Sequence, residues 1–347
     1  MRIPVDRLVS FCAAVFGAVG VAPDHAAVTS RRLVEADLRG RTGHGVIRVG
    51  PYVERIEAGG VNLRPEMRVL HDTPTSALVD ADNGLGQVAM TLAVDLAAAK
   101  ATQAGMAWVG TVRSNHAGAA GLYPAMAARR GLVGIYLAVA NANGMPPWGG
   151  TAPLLGTNPL AVAVPTGDGP PLVLDIATTV ASHGTIKVAA QAGEQMPVGW
   201  VVDPEGRPIT DPRRAHEGFL VPIGGYKGAG LNIVIGLLAG VLNGAAFGSS
   251  VVDHRADPAT PTNTGQALFV LRPDLFMPAD EALASMARHL DELRHSGSPD
   301  GRPLRLPGDR AAELEAEGTA RGITVPDAVR ASLVALGARL GLTDTLS

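Results

Sequence analysis

Three segments at the start of the chain carry apolar residues at helical spacing. They predict helices over residues 5–20, 24–38 and 45–58, with Gly59-Gly60 ending the third. The apolar run from Leu8 to Ala22 follows two arginines and therefore also resembles a signal peptide. Its apolar residues fall on one helical face, which favours a folded amphipathic helix over a cleaved leader.

The rest of the chain alternates short apolar runs with longer helical segments. Extended segments are predicted over 69–80, 106–112, 132–139, 160–165, 172–175 and 267–272. Helices are predicted over 85–104, 119–130, 226–242, 279–294 and 326–340. The helix over 226–242 carries almost no charge, so we expect it to be buried.

Strands that alternate with helices are typical of an α/β fold. We expect a helical segment over 1–74, an α/β core over 75–308 and a second helical segment over 309–347. The helices of the two ends would then pack together as a layer beside the core.

Composition and charge narrow the class of protein. The 347 residues are 46% hydrophobic and 18% charged, which excludes a disordered chain. The net charge is −3 without a long run of one sign, so we expect no nucleic-acid partner and no membrane partner. Cys12 is the single cysteine, which rules out an internal disulfide and fits a reducing, cytoplasmic location.

Two short stretches carry the residues best suited to chemistry. Gly43-His44-Gly45-Val46-Ile47-Arg48 places an arginine four residues after a histidine, and Arg113-Ser114-Asn115-His116-Ala117-Gly118 follows an apolar strand. Arginine binds a carboxylate through two parallel hydrogen bonds, and histidine gives or takes a proton near neutral pH. Together they indicate acid–base chemistry on a small molecule that carries a carboxylate.

Other motifs give weaker signals. The Gly-x-Gly-x-x-Gly signature of a Rossmann fold is absent from the strand–helix junction where it belongs. The segment Gly225 to Gly230 opens a helix, where backbone N–H groups and Lys227 could hold a phosphate. Asp175 ends an apolar strand, a common ligand position in α/β proteins, and a helix N-cap is an equal alternative for it. No His-x-x-x-His pattern and no Gly-x-Ser-x-Gly motif occurs, so we expect neither a metal centre nor a serine hydrolase.

A series of ordered motifs resembles the malate/L-lactate dehydrogenase family, whose members lack a Rossmann fold. The family includes ureidoglycolate dehydrogenase, diketogulonate reductase, sulfolactate dehydrogenase and cyclic-imine carboxylate reductases. The resemblance spans nearly the whole chain. It rests on these segments: Ala36-Asp37-Leu38-Arg39-Gly40, Gly43-His44-Gly45-Val46, Tyr52-Val53-Glu54-Arg55-Ile56, Ser114-Asn115-His116, Gly156-Thr157-Asn158-Pro159-Leu160, Leu174-Asp175-Ile176-Ala177-Thr178, Gly224-Gly225-Tyr226-Lys227-Gly228 and Phe276-Met277-Pro278.

The resemblance implies a sulfolactate-dehydrogenase-like α/β fold with a mixed-sheet cofactor-binding core. It implies NADH or NADPH as the hydride donor, and a small 2-hydroxy or 2-oxo acid of the malate, lactate or ureidoglycolate type as the substrate. It also implies a homodimer with the active site near the subunit interface. A cyclic 2-imino acid is an alternative substrate. A catalytically weakened ligand-binding homologue and an exported solute-binding protein are alternatives from other functional classes.

Residue by residue, the resemblance implies proton-handling roles for His44 and His116 and carboxylate binding for Arg48. It implies cofactor binding for a larger group: Ser114, His116, Ala140, Thr157, Asn158, Pro159, Asp175, Ile176, Ala177, Lys227, Gly308 and Asp309. Neither the residues nor the resemblance chooses the proton donor between the two histidines. We expect His44, because its four-residue spacing to Arg48 places both side chains on one face of a helix. His116 would then lie beside the nicotinamide.

Three positions depart from the family pattern. Gly43 stands where serine is usual, Thr185 follows Gly184 where lysine is usual, and Gln266 stands where histidine is frequent. These departures bear on contacts with the substrate hydroxyl and the cofactor phosphates, and therefore on the identity of the substrate.

Overall fold

One mixed sheet joins strands from very different parts of the sequence. The computed structural model describes residues 2–346. Its strands are β1 (Arg2–Ile3), β2 (Arg68–Asp72), β3 (Ser76–Asp80), β4 (Met106–Ser114), β5 (Val133–Ala138), β6 (Leu160–Val164), β7 (Leu172–Ile176), β8 (Val201–Val202), β9 (Pro208–Ile209), β10 (Phe219–Leu220), β11 (Thr264–Leu271) and β12 (Ile323–Thr324). The central sheet has seven strands in the order β2-β3-β4-β11-β5-β6-β7. β3 and β4 are parallel, and every other neighbouring pair in that sheet is antiparallel.

Helices cover this sheet and form a layer beside it. They are α1 (Val5–Ala18), α2 (Pro23–Leu38), α3 (Val49–Glu57), α4 (Gly86–Ala104), α5 (Leu122–Ala128), α6 (His183–Ala192), α7 (Tyr226–Ala239), α8 (Ala279–Arg294), α9 (Asp309–Arg321) and α10 (Asp327–Arg339). The mixed sheet and its helices confirm the predicted α/β fold. The pattern did not predict α6, and it gave no separate bounds for α9 within the helical C-terminal segment. It also did not predict the small sheet of β8, β9 and β10, because strands of two residues have no measurable periodicity.

The extended segment predicted over 69–80 is a hairpin rather than one strand. β2 pairs antiparallel with β3, and the Ser76 backbone N–H donates to Thr73 Oγ1 at 2.9 Å in the turn between them. A hydroxyl that accepts such a bond stabilises a tight turn.

The position of β11 decides where the ends of the other strands lie. β11 is antiparallel to both β4 and β5, with Leu268 opposite Val109 on one side and Tyr136 on the other. The last residues of β4 and β5 therefore meet at one edge of the sheet, opposite the first residues of β11. β7 runs in the same direction as β5 and ends at the same edge, because Ile176 pairs with Leu160 at the start of β6. The loops that follow these three strands are thus brought together.

The two ends of the chain build the helical layer jointly. β1 pairs with β12 near the C-terminus. A single hydrophobic core cluster contains Leu8 and Phe16 of α1, Leu33 of α2 and Leu333 of α10. The apolar run that resembled a signal peptide is therefore an integral part of the folded core.

The prediction that helix α7 is buried is wrong for one of its faces. Ile235 and Ala239 pack on the sheet beside Leu137, whereas Val234 is 50% exposed and Leu237 is 46% exposed. The segment Tyr226–Asn243 is long and apolar enough to cross a membrane by length and composition, and 44% of it is buried in the fold. The absence of charge therefore reflects one packed face and one uncovered apolar face.

Two glycines of α7 should respond in opposite directions to substitution by alanine. A Cβ at Gly236 would lie 2.0 Å from the Phe247 ring, whereas a Cβ at Gly230 would meet nothing within 4 Å. Gly236→Ala should lower the free energy of unfolding by about 1–3 kcal/mol through overpacking. Gly230→Ala should raise it by about 0.5–1 kcal/mol, because alanine loses less backbone entropy in a helix. Urea denaturation measures both values, and equal effects would contradict this packing of α7.

Candidate active site

Three histidine rings lie in contact at the edge of the sheet where β4 ends. The rings of His44 and His116 are stacked, with centroids 5.4 Å apart and an angle of 17° between their planes. His254 meets His116 edge-on at 5.7 Å. The structure thus brings together the two histidines predicted from the sequence and adds a third from a distant loop.

His116 is bonded through Nδ1 to a buried tyrosine. Tyr52 Oη lies 2.6 Å from His116 Nδ1, and Gln87 Nε2 donates to Tyr52 Oη at 2.8 Å. The Gly118 backbone N–H also donates to His116 Nδ1 at 3.4 Å. Nε2 of His116 has no hydrogen-bond partner among residues 2–346, and the His116 ring lines a small cleft. In His44 the buried nitrogen is Nδ1, and it has no partner among the described residues.

The helix predicted over 45–58 is wrong in its first turn, and so is the shared helical face of His44 and Arg48. These residues lie in two separate 3₁₀ turns, Thr42–His44 and Val46–Arg48. Gly45 separates the turns with φ −88° and ψ −150°, and the Val46 N–H donates to Asp37 Oδ2 at 2.7 Å. The buried Asp37 carboxyl therefore starts the second turn and prevents one continuous helix.

Arg48 has an unused guanidinium face. Its Nε donates to the Gly43 carbonyl at 2.7 Å. Neither Nη atom has a hydrogen-bond or ion-pair partner in the described part of the chain. Arg48 lines one small cleft with Tyr52, Asn115, His116 and His254. Two free, parallel N–H donors beside two imidazoles are the arrangement that a small carboxylate needs.

Burial and positive charge keep the three imidazoles neutral. Burial, followed by the charges of Arg48 and Arg41, lowers the pKa of His44 to about 4. Burial, followed by the charge of Arg48, lowers the pKa of His116 well below its ordinary value. Burial, followed by the charges of Arg55 and Arg48, lowers the pKa of His254 to about 4. The cleft at neutral pH therefore holds uncharged imidazoles and cationic guanidinium groups, which favours an anionic ligand.

The predicted cofactor residues at the end of β7 are joined to Arg41, which lies three residues before His44. Asp175 is within β7, paired with Ala161, so the alternative of a helix N-cap is wrong. The Asp175 carboxylate lies 3.4 Å from Arg41 Nε, and a Cβ at Gly121 would be 3.0 Å from Asp175. Ile176 and Ala177 follow it and are half-buried.

A second set of predicted cofactor residues is joined to the middle of α7 by buried amides. Asn232 Nδ2 donates to the Gly156 carbonyl at 2.8 Å, and Asn158 Nδ2 donates to Asn232 Oδ1 at 2.8 Å. Asn158 Oδ1 accepts the Ala140 N–H at 3.0 Å, and the Thr157 carbonyl accepts the Thr178 N–H at 3.0 Å.

Two residues of the predicted set are fully buried. Asn158 and Ser114 are 0% exposed, and their side chains are bonded inside the protein. Pro159 is half-buried, and its carbonyl accepts the Ala138 N–H at 3.3 Å. These three residues shape the loops in which the more open predicted residues lie, and cofactor contact by their side chains stays a prediction.

The loop that contains Gly308 and Asp309 lies beside strand β7. The Val173 N–H donates to the Pro307 carbonyl at 3.0 Å, and a Cβ at Gly308 would lie 2.8 Å from the Val173 nitrogen. Asp309 is bonded to Arg294 at 2.9 Å and accepts the Leu306 N–H at 2.9 Å. The close approach of this loop to β7 thus depends on glycine at 308, and the Asp309 carboxylate is already paired.

The three departures from the family pattern have distinct structural roles. Gln266 is buried, accepts from Thr111, and donates to the Asn115 carbonyl at 2.9 Å, so it supports the loop that carries His116. The Thr185 N–H donates to Ser182 Oγ at 3.1 Å, so Ser182 caps the N-terminus of α6 and Thr185 lies in its first turn. A Cβ at Gly43 would meet nothing within 4 Å, so a serine would fit there.

Sequence reasoning missed Gln87, Tyr52 and His254 as members of this cluster. Tyr52 follows Arg48 by four residues, and this spacing was the available signal for it. Gln87 and His254 are brought in by α4 and by a long irregular loop, and no local pattern identifies either.

A larger cavity lies away from the histidines. Its volume is about 670 Å³, and its lining includes Arg39, Arg129, Glu315 and the loop between β6 and β7. The Glu315 carboxylate lies 2.5 Å from Arg129 and 3.6 Å from Arg39. The two arginines of this cavity therefore already have a carboxylate partner. The unpaired Arg48 beside the imidazoles makes the smaller cleft the better candidate for chemistry.

The chain is similar to known proteins both in sequence and in fold. Residues 3–334 match the family model described as "Malate/L-lactate dehydrogenase". The chain is 35% identical over 316 residues to "Ureidoglycolate dehydrogenase (NAD(+))" of Escherichia coli strain K12, covering 91% of this chain and 90% of the relative. It is 34% identical over 330 residues to "Delta(1)-pyrroline-2-carboxylate/Delta(1)-piperideine-2-carboxylate reductase" of Pseudomonas putida, covering 94% of each. The solved structure of sulfolactate dehydrogenase from Methanocaldococcus jannaschii superposes with a TM-score of 0.90 at 31% identity, covering 99% of this chain and 98% of that one.

The buried Asp37 gives a testable pH dependence. Burial raises its pKa from 3.8 to about 7, so the folded protein binds more protons than the unfolded chain between those values. This stabilising contribution is present below pH 3.8 and is lost as the pH rises through about 7. Asp37→Asn cannot titrate and keeps an acceptor for the Val46 N–H, so its melting temperature relative to wild type should increase from pH 4 to pH 7.

The buried histidines impose the opposite slope on both proteins, so their contribution cancels in the difference. Asp24→Asn, an exposed change on the same helix α2, is the control and should show a flat difference. A flat difference for Asp37→Asn as well would contradict a protonated carboxyl at this position.

Proposed function

Because the chain belongs to the malate/L-lactate dehydrogenase family, we propose that it uses NAD(H) or NADP(H) to interconvert a small 2-hydroxy acid and the corresponding 2-oxo acid. The observation that carries this proposal is the unpaired guanidinium face of Arg48 beside the stacked imidazoles of His44 and His116. Such a site combines a carboxylate anchor with a proton donor for the oxygen of the reacting carbonyl group.

Arg48 would orient the substrate. Its two free Nη groups fit the two oxygens of a carboxylate, and Gly43 fixes the guanidinium through Nε. Burial lowers the pKa of Arg48, which means that the charge is partly desolvated and gains from an anionic partner. A carboxylate bound there would also cancel the charge that depresses the pKa of His116.

His116 is the proton donor in this proposal. The sequence analysis expected His44 in that role. The basis for His44 was a helical face that the structure lacks. His116 has its Nδ1 engaged by Tyr52 and its Nε2 open, whereas the buried Nδ1 of His44 is unpaired. A ring fixed at one nitrogen presents the other in a defined direction, as proton transfer requires. His44 would pack against His116 and close one side of the cleft.

The residues at the adjoining strand ends fit a dinucleotide. Lys227 lies in the first turn of α7 with no acidic partner among residues 2–346, and the free backbone N–H groups of that turn lie at the same end of the helix. The Asp175 to Ala177 strand end and the Gly308 loop would hold the rest of the cofactor. When bound, the nicotinamide supplies or accepts the hydride at the carbon beside the carboxylate.

A cyclic 2-imino acid is a second candidate substrate. The Pseudomonas putida relative, named as a reductase of such compounds, matches this chain over 94% of both lengths. An imine beside a carboxylate presents the same anchor, and its nitrogen takes the proton in place of the carbonyl oxygen, so Arg48 and His116 would keep their roles.

Oxidation of NADH and of NADPH, followed at 340 nm with a panel of 2-oxo acids and cyclic imines, tests the proposal. Turnover of at least one 2-oxo acid is expected. Turnover of cyclic imines alone would select the second candidate. Cofactor binding without turnover across the panel would favour a weakened ligand-binding homologue.

Dimerisation through the exposed face of α7 is part of this proposal. Val234, Leu237 and Val241 form an uncharged strip that is about half exposed, and such patches mark protein contacts. The same helix begins with Lys227 and bonds to Gly156 through Asn232, so a second copy on this face would lie beside the active site. A cytoplasmic location fits the single buried cysteine, Cys12.

Arg48→Lys keeps the positive charge but loses the planar pair of donors. We expect kcat/KM for the accepted substrate to fall by about tenfold to a hundredfold, the equivalent of one charge-assisted hydrogen bond. Cofactor affinity, measured by NADH fluorescence titration, should stay near wild type. Full activity of the variant would show that Arg48 does not hold the carboxylate.

Leu237→Glu should separate the dimer. A charge on the uncovered face of α7 would be desolvated in the interface, so the variant should run as a monomer in sedimentation velocity. Leu293→Glu is the matched control, since Leu293 is 53% exposed on α8. A dimer that survives Leu237→Glu would exclude this face.

A further inference from the structure

We propose that Gln87 and Tyr52 are positioning residues that hold His116 in the tautomer with the proton on Nε2, and thereby deliver that proton to the cleft. This inference rests on the proposed function, because it concerns how the site performs its proton transfer. Tyr52 lines the cleft, whereas Gln87 is fully buried and acts only through Tyr52.

Two donors converge on Nδ1 of His116. Tyr52 Oη lies 2.6 Å from Nδ1, and the Gly118 backbone N–H points at the same atom from 3.4 Å. A backbone N–H can only donate, so Nδ1 is an acceptor and carries no proton. A neutral imidazole with an unprotonated Nδ1 has its proton on Nε2.

Gln87 fixes the direction of the tyrosine hydroxyl. Tyr52 has one proton, and it is spent on Nδ1, so its oxygen must accept from the amide of Gln87 at 2.8 Å. The amide orientation follows from the unprotonated Nδ1 of His116. In the opposite orientation Tyr52 would donate to Gln87, and its oxygen would need a proton from Nδ1. Gln87 Oε1 is buried without a partner among the described residues. A polar group that leaves one of its atoms unpaired in the core is retained at a stability cost, which fits a functional role.

Both positioning residues are buried and rigid. Gln87 is 0% exposed in the first turn of α4, and Tyr52 is 6% exposed on α3. Burial raises the pKa of Tyr52 to about 12, so the phenol stays protonated and remains a donor to His116 across the physiological range. The two hydrogen bonds of this relay, from Gln87 to Tyr52 and from Tyr52 to His116, therefore keep the same donors and acceptors across that range.

Two further histidines and two arginines surround the His116 ring. His44 stacks on one face, His254 meets its edge, and Arg48 and Arg55 supply the nearby positive charges. Each of these groups disfavours a proton on His116 beyond the neutral form. A neutral ring can give its Nε2 proton to the substrate oxygen only if Nδ1 takes a proton in exchange, and the Tyr52 hydroxyl that donates to Nδ1 can supply it. Tyr52 would then be a phenolate that accepts from the Gln87 amide until it is reprotonated. The tautomer therefore decides whether the ring can act as an acid.

Gln87→Glu distinguishes this relay from a packing role. While the new carboxyl is protonated, its O–H donates to Tyr52 Oη as the amide did. Once it ionises, it accepts from Tyr52, and Tyr52 must then accept from a protonated Nδ1 of His116. Reduction by this variant should therefore show a new descending limb, with kcat falling by roughly 10²-fold as the pH rises through that ionisation. A residue that serves only packing would leave the shape of the profile unchanged.

Gln87→Met removes the donor without adding a charge. It should lower kcat by about tenfold at every pH, because the tyrosine hydroxyl no longer has a fixed direction. The dissociation constant for NADH should stay within about twofold of wild type. Thr102→Val, which removes a hydroxyl bonded at 2.9 Å to the Ala98 carbonyl of the same helix α4, is the control and should change neither quantity.

The tautomer itself is measured on the protein without substrate. Two-bond ¹H–¹⁵N spectra of ¹⁵N-histidine protein, with the His116 signals assigned by loss in His116→Gln, should show an unprotonated Nδ1 in wild type. They should show a mixture of tautomers in Gln87→Met. A protonated Nδ1 in wild type, or a Gln87→Glu profile identical to wild type, would overturn the inference. If no substrate is turned over but the spectra behave as expected, the proposed function fails and the relay stands.

Discussion

The pairing of β11 between β4 and β5 is the constraint on which the rest of this structure depends. It joins residues 264–271 to strands more than a hundred residues earlier in the chain, with backbone hydrogen bonds on both sides. Because β11 is antiparallel to both neighbours, the ends of β4 and β5 lie at one edge. The loop with His116, the Ala140 loop and the end of β7 are consequently neighbours. Without this strand the site residues would belong to two separate halves of a sheet.

The loop after β4 is then fixed by buried polar contacts rather than by apolar packing. Gln266 on β11 donates to the Asn115 carbonyl, and Arg55 on α3 donates to Asn115 Oδ1 at 3.1 Å. Asn115 in turn donates to the Gly84 carbonyl at 2.9 Å. Each of these groups is buried, so each broken bond would leave an unpaired polar atom in the core. The position of the adjacent His116 is therefore specified by sheet, helix and loop together.

Two arginines at the same edge, Arg48 and Arg55, form no ion pair with a carboxylate among residues 2–346. Most arginines of this protein are paired with carboxylates, as Arg113 is with Asp80 and Arg294 is with Asp309. Arg48 is not, and Arg55 bonds to carbonyls and to an amide rather than to a carboxylate. Both charges depress the pKa of His116 and His254. An anionic ligand would relieve this repulsion, which links substrate binding to the protonation of the imidazoles.

The sequence by itself determined the fold class, most helices and the identity of two histidines and an arginine. Helical and strand periodicities are local, and the predicted α2 and α8 agree with the observed bounds to within one residue. His44, His116 and Arg48 were identifiable because their chemistry and glycine neighbours lie within short stretches. Only the tertiary structure decided what touches them. The Asp37 carboxyl prevents a continuous helix between His44 and Arg48, and one face of α7 is left exposed. Tyr52 and His254 contact the ring of His116, and Gln87 bonds to Tyr52. These contacts join residues far apart in the chain, and no local pattern records which distant side chain will complete a hydrogen bond.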